Sequence, residues 1–187
     1  MKKQHFISTN FILNANSSIL IGIYFLVSGY LLESINSGNF LGFTFNEETT
    51  TSFTNTYTVL ILSFLFVISS VSILFSSLNK AKSTKYIFWN KKTKVALYKL
   101  ITINLLLLIT LYFFYIEDFS SKFTTAFLLI YAILIVFVNN KKNKKLYLLA
   151  GLCCMLAAIC FLIPSYWVSS ITIMGVAHIA FGIATKY

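Results

Sequence analysis

The chain has 187 residues, 58% of them hydrophobic and 11% charged, with 19 Phe, 11 Tyr, seven Gly and a single Pro. This composition excludes a disordered chain, which needs low hydrophobicity, and a low-complexity linker. The net charge of +10 comes from 15 basic residues, all lysine, against five acids; in a soluble protein it would suggest nucleic acid, but its placement along the chain gives it another meaning.

A helix needs roughly 20 mostly apolar residues to cross a bilayer, and six stretches meet or approach that length. The first, residues 18–33, follows Lys2 and Lys3 and carries Gly22, Ser28 and Gly29, with Glu33 at its far end. A largely polar stretch separates it from the lysines and no small-x-small site follows Leu32, so it reads as a retained span and not a cleaved signal peptide. The next segment, 34–56, is expected to be an external loop whose Phe40, Phe43 and Phe45 pack on helix ends; a lid is the functional alternative. The second span, 57–78, holds Ser69, Ser70 and Ser72.

Seven lysines (80, 82, 85, 91, 92, 94, 99) lie between or just inside spans two and three, around Tyr86, Ile87, Phe88 and Trp89. Aromatic residues among lysines suit the headgroup region, which favours a membrane anchor over a nucleic-acid site. The third span, 97–116, contains Asn104 and the run Leu105-Leu106-Leu107-Leu108-Ile109, which lacks the alternation of a membrane β-barrel strand. Glu117, Asp118 and Lys122 precede the fourth span, 123–138, which contains Tyr131; Lys141, Lys142, Lys144 and Lys145 follow it. The fifth span, 146–163, carries Cys153, Cys154 and Cys160 together with Gly151 and Ala158. After Pro164, the sixth span, 168–185, carries Gly175, His178 and Gly182, and Lys186 follows.

With six crossings, every lysine except Lys122 falls on one side and all five acids on the other. Cytoplasmic loops carry the lysine excess, so both termini are expected in the cytoplasm. The expected architecture is an all-α, six-span integral membrane protein, one bundle and one domain over residues 1–187. All-lysine, Asn- and Ile-rich usage points to an AT-rich bacterium and hence to its cytoplasmic membrane. Anionic lipid headgroups are the partners expected at the cytoplasmic lysines, at about 1 kcal/mol per lysine near the surface; nucleic acid is not expected.

Ionisable residues inside membrane spans are costly and usually functional. His178 is the clear case, and Glu33 a second at a span end. His178 could relay protons or line a cavity; the plainer expectation is a neutral imidazole bonded to a neighbouring helix. No metal, cofactor or catalytic group is expected. His5 is the one other histidine, and Cys153 and Cys160, although on one face, fall short of the four ligands of structural zinc. Ser169 and Ser170 lie about 12–13 Å before His178 along one helix, beyond hydrogen-bond reach, which leaves a partner serine from span two open. The pairs Gly22/Gly29, Gly151/Ala158 and Gly175/Gly182 are each seven residues apart, so each puts two small residues on one face, as close helix packing requires. The matching spacings also hint at an internal repeat.

The third hairpin, Gly151-Leu-Cys-Cys-Met-Leu-Ala-Ala158, then Pro164, then Gly175 to Gly182, resembles the pattern of HdeD-like six-span bacterial membrane proteins. Gly22 and Gly29 extend the resemblance to span one, while the middle hairpin departs from it, having neither glycine nor proline. The resemblance implies a role in envelope or acid stress and carries no catalytic residue. Three functions follow. The first is a non-enzymatic accessory or envelope-stress protein, acting with a membrane protein partner or as a homo-oligomer. The second is a small channel or transporter whose polar pathway includes Ser28, Asn104, Tyr131 and His178. The third is a membrane enzyme using His178.

Overall fold

The computed structural model describes residues 13–37, 39–40, 43–44, 47–83, 91–117, 119–138 and 144–186. Lys2, Lys3, His5, Phe45, Lys85, the aromatic patch at 86–89, Lys141 and Lys142 lie outside them. The described residues form six helices: α1 (Ala15–Asn36), α2 (Glu47–Ser83), α3 (Lys91–Ile116), α4 (Phe123–Val138), α5 (Lys144–Leu162) and α6 (Trp167–Lys186). Four of them are long and apolar enough to cross a membrane, and α4 and α5 are shorter apolar helices.

The loop expected at 34–56 is corrected at both its ends, which are helical. Helix α1 continues to Asn36 and α2 starts at Glu47, leaving a short connection in which strands β1 (Asn39–Phe40) and β2 (Phe43–Thr44) pair antiparallel, Phe40 opposite Phe43. Helix α2 begins at Glu47, ten residues ahead of the apolar stretch at 57–78, so the helix is longer than the segment hydropathy marks.

Lipid is as apolar as leucine, so no hydrophobic force drives these helices together; close packing and hydrogen bonds must. The surface shows it: Phe64, Leu148, Met155 and Leu162 are among the many large apolar residues turned outward. The broadest contact joins α1 and α6, which run antiparallel with Gly22 against Gly175, Gly29 against Thr172 and Gly182 against Ala15 and Ile19. A Cβ on Gly22 would lie 2.6 Å from the Gly175 carbonyl oxygen, and one on Gly175 would lie 2.9 Å from that of Gly22. Two backbones can come this close only because both residues lack a side chain.

Gly151 and Ala158 have no such role within the chain. Both are exposed on α5, and a Cβ on Gly151 would meet nothing within 4 Å. The spacing identifies a small-residue face but carries no information on whether a partner helix lies against it.

Helix α4 is the centre of the bundle. It touches α2, α3, α5 and α6, and twelve of its sixteen residues are buried. Its sixteen residues rise about 24 Å, and the 3-10 turn Ser120–Lys122 before it adds about 6 Å, together close to a bilayer core. Lys122, the lysine that breaks the charge segregation, places Nζ 3.9 Å from the centroid of the Phe161 ring, a cation–π contact that holds it at the bundle end. Helix α3 is peripheral: 17% of its apolar stretch is buried, against 44% for α1, α2 and α6.

Candidate functional site

His178 sits where α1, α4 and α6 meet, and its side chain is fully buried. Its position follows from the glycines. Residues 175, 178 and 182 share one face of α6, so the face that brings the backbone against α1 also brings the imidazole there. Across the contact, Ser18 lies one turn before Gly22 on the matching face of α1. Ser18 Oγ is 3.1 Å from His178 Nδ1 and 2.8 Å from the His178 carbonyl oxygen, and Tyr131 Oη of α4 is 2.7 Å from Nε2.

These three contacts fix the protons. The Ser18 hydroxyl has a single proton and gives it to the His178 carbonyl. Its contact with Nδ1 therefore runs the other way, with Nδ1–H donating to Ser18 Oγ. A neutral imidazole protonated at Nδ1 has a lone pair at Nε2, which accepts the Tyr131 O–H. Both ring nitrogens are satisfied, by two different helices.

Aromatic rings enclose the cluster. Phe25 stacks on the imidazole with centroids 5.6 Å apart and lies 5.0 Å from the Tyr131 ring. Phe127 stacks on Tyr131 at 5.8 Å, and Phe66 of α2 meets Tyr131 edge-on at 6.1 Å. Ser69, one turn after Phe66, neighbours Tyr131 and gives its proton to the Leu65 carbonyl at 2.7 Å. Four helices thus converge on two polar side chains, in a buried layer where each unpaired group would be costly.

Of the four pathway residues expected from sequence, the structure brings two together, His178 and Tyr131. Asn104 is engaged elsewhere: its Nδ2 donates to the Leu100 carbonyl at 2.8 Å and to Ser70 Oγ at 3.1 Å, tying α3 to α2. Ser28 is buried on α1, about 15 Å along the helix from Ser18 at 1.5 Å per residue. Ser169 is exposed and Ser170 Oγ accepts from Cys160 Sγ at 3.0 Å, while Cys153 Sγ donates to the Leu128 carbonyl at 3.2 Å. The two buried cysteines therefore act as weak interhelical donors as well as small apolar residues. Glu33 is exposed. Among the described residues, no three His, Cys, Asp or Glu side chains cluster as a metal site would require.

Sequence reasoning missed Ser18, which it took only as the start of a span, and the ring cage of Phe25, Phe66 and Phe127. The signal for Ser18 was present: 18, 22, 25 and 29 form one helical face, and its glycines mark it as the close-packing one. No protein-family model, curated protein or solved structure matches the chain.

Proposed function

We propose that the chain is a six-span protein of a bacterial cytoplasmic membrane, both termini cytoplasmic, that acts as a non-enzymatic accessory or envelope-stress component. Its cytoplasmic lysines meet anionic lipid headgroups, and its surface engages a membrane protein partner or a second copy. The envelope-stress part of this reading comes from the HdeD-like resemblance of the third hairpin.

One observation supports the non-enzymatic reading: the direction of the hydrogen bonds at His178. A histidine that activates a serine must accept the hydroxyl proton. Here the imidazole donates to Ser18 and the Ser18 proton is held by a carbonyl, the reverse of an activated nucleophile. The remaining nitrogen is taken by Tyr131, which fits a fastener between helices.

Topology and function are tested separately. With the native cysteines replaced by alanine, S121C should react with an impermeant maleimide from outside intact cells and K186C only after permeabilisation; the converse pattern refutes the orientation. For function, the tagged protein is solubilised gently from its native membranes and everything retained is identified by mass spectrometry. A stoichiometric protein partner supports the accessory role. Recovery of the chain alone, combined with solute flux in proteoliposomes that is lost in H178A, replaces that role with transport.

A further inference from the structure

Helix α2 buries five serines along its second half: Ser69, Ser70, Ser72, Ser76 and Ser77. In a membrane helix such hydroxyls normally return to the carbonyl four residues before. Ser69 does so to Leu65 and Ser77 to Ile73, and Ser70 bonds Asn104. Ser76 does not. It is 5% exposed, and its Oγ has no hydrogen-bond partner among the described residues.

The position of Ser76 gives this orphan meaning. At 100° per residue, Ser69, Ser72 and Ser76 lie within an arc of about 60°, each about one turn from the next. The inner end of this face lies near the polar cluster, because Phe66, one turn before Ser69, packs on the Tyr131 ring and Ser69 neighbours Tyr131. Ser76 lies about 10 Å further along, at 1.5 Å per residue, toward the end of α2 that carries the exposed Lys82. A line of hydroxyls thus runs from the buried imidazole toward the lysine-rich end, with an unsatisfied hydroxyl at the far end of the line. Thr125 Oγ1 is the other buried side-chain oxygen without a partner among the described residues. It lies on α4, six residues before Tyr131, with no hydroxyl on that helix between them.

We propose that the Ser69–Ser72–Ser76 face of α2 binds a file of water molecules through which the Tyr131–His178 pair exchanges protons with the lysine-rich end of the bundle. Water is the ligand whose chemistry fits: it gives Ser76 Oγ both a donor and an acceptor, and hydroxyls one turn apart are spaced for bridging by single molecules. The cluster can pass a proton in one cycle of hydroxyl turns. A hydronium in the file gives a proton to Ser69 Oγ while the O–H that Ser69 held on the Leu65 carbonyl turns and passes its proton to Tyr131 Oη. Tyr131 passes its phenol proton to His178 Nε2, and the proton gained from the file then takes up the Leu65 bond. The hydronium becomes water, the imidazole becomes imidazolium, and both hydroxyls remain neutral. The Nε2–H then donates to Tyr131, whose new O–H points at Ser69. Phe25, stacked on the ring, offers a π face to the transient cation, and reversal returns the proton by the same route. Such a file is independent of any partner the bundle binds.

The test uses the full chain in lipid vesicles, labelled with 15N-histidine and carrying H5Q so that His178 is the sole imidazole. Solid-state NMR follows replacement of the Tyr131 hydroxyl proton by deuterium after transfer to D2O, read through the isotope shift at His178 Nε2; loss of that signal in Y131F assigns it. The expected result is exchange faster than that of the backbone amides of buried α4, slowed about tenfold or more in S76V when the water partner is lost. S76A should slow it in the same direction without adding bulk, and it serves where S76V does not fold. Exchange as slow as the α4 amides overturns the proposal, as does a rate unchanged in both variants. A rate slowed by T125V as much as by S76V also overturns it, because the route would then enter from the other end.

Discussion

Replacing Gly22 by alanine and replacing Gly151 by alanine make the same chemical change in two environments, and the structure sets them apart. In α1 the new Cβ would lie 2.6 Å from the Gly175 carbonyl oxygen and 2.6 Å from Ile179 Cγ1. An ordinary contact begins near 3.4 Å, so the seam must open by about 0.8 Å, and a backbone carbonyl cannot rotate away as a side chain can. Overpacking of this kind costs about 1–3 kcal/mol. In α5 the added Cβ meets nothing within 4 Å. Both variants gain the same helix-propensity benefit, about 1 kcal/mol for Gly to Ala, and it cancels in the comparison. G22A should therefore be less stable than G151A by about 1–3 kcal/mol, with G151A at or above the parent. The assay is reversible unfolding in mixed micelles of rising SDS fraction, followed by far-ultraviolet circular dichroism. Equal stabilities would refute the reasoning, since the close approach of α1 and α6 would then not hold in the membrane-like state. G175A should behave as G22A does. The double variant should cost less than the sum, because both methyl groups open one seam.

Three further outcomes follow from the polar contacts. 15N NMR of the H5Q chain should show His178 protonated at Nδ1, and S18A should move the proton to Nε2, with Tyr131 turning to accept it; an Nε2–H tautomer in the parent would refute the assigned bond directions. A double-mutant cycle of Y131F with H178L should give a coupling of about 0.6 kcal/mol, and no more than about 1.7, the average and the maximum for interhelical hydrogen bonds in a membrane; zero coupling would remove the bond as a fastener. N104L should lower stability by about 0.5–1.5 kcal/mol, since it deletes the bond to Ser70; the His178 tautomer should not change, and a changed tautomer would show that the α2–α3 seam and the central cluster are coupled.

The fold was legible to the extent that it rests on hydropathy. Long apolar runs and polar punctuation gave six helices, and the glycine spacing marked the faces of α1 and α6 that meet. What hydropathy could not give was where amphipathic starts belong, as with Glu47 and Glu48, which look like loop yet open a helix. Nor could it separate a small-residue face that is used from one that is not. Gly22/Gly29 and Gly151/Ala158 have the same period, and only the neighbouring helix distinguishes them. The central cluster was half legible. His178 stood out because ionisable residues in spans are rare, and Tyr131 as a polar aromatic in an apolar run. Ser18 was hidden because it joins the site across 160 positions of sequence, and serine in a membrane span is common enough to carry no signal without a partner. The ring cage was hidden for the converse reason: with 19 Phe in the chain, no single one is informative.

Proton direction, more than residue identity, separates the readings of this cluster. Serine, histidine and tyrosine within hydrogen-bond distance would fit a nucleophile with its base, a proton relay or a structural tie. A nucleophile requires the serine proton to point at the ring, and the 2.8 Å bond from Ser18 to the His178 carbonyl directs it elsewhere. A tie requires only that both nitrogens be satisfied, which Ser18 and Tyr131 achieve from different helices. A relay requires in addition a second acceptor for the tyrosine proton, so that Nε2 can be protonated without stranding a donor. Ser69, the side-chain neighbour of Tyr131, can serve as that acceptor while its own proton stays on the Leu65 carbonyl. The tie and the relay are therefore two uses of one arrangement, and the hydration of Ser76 decides whether the second operates.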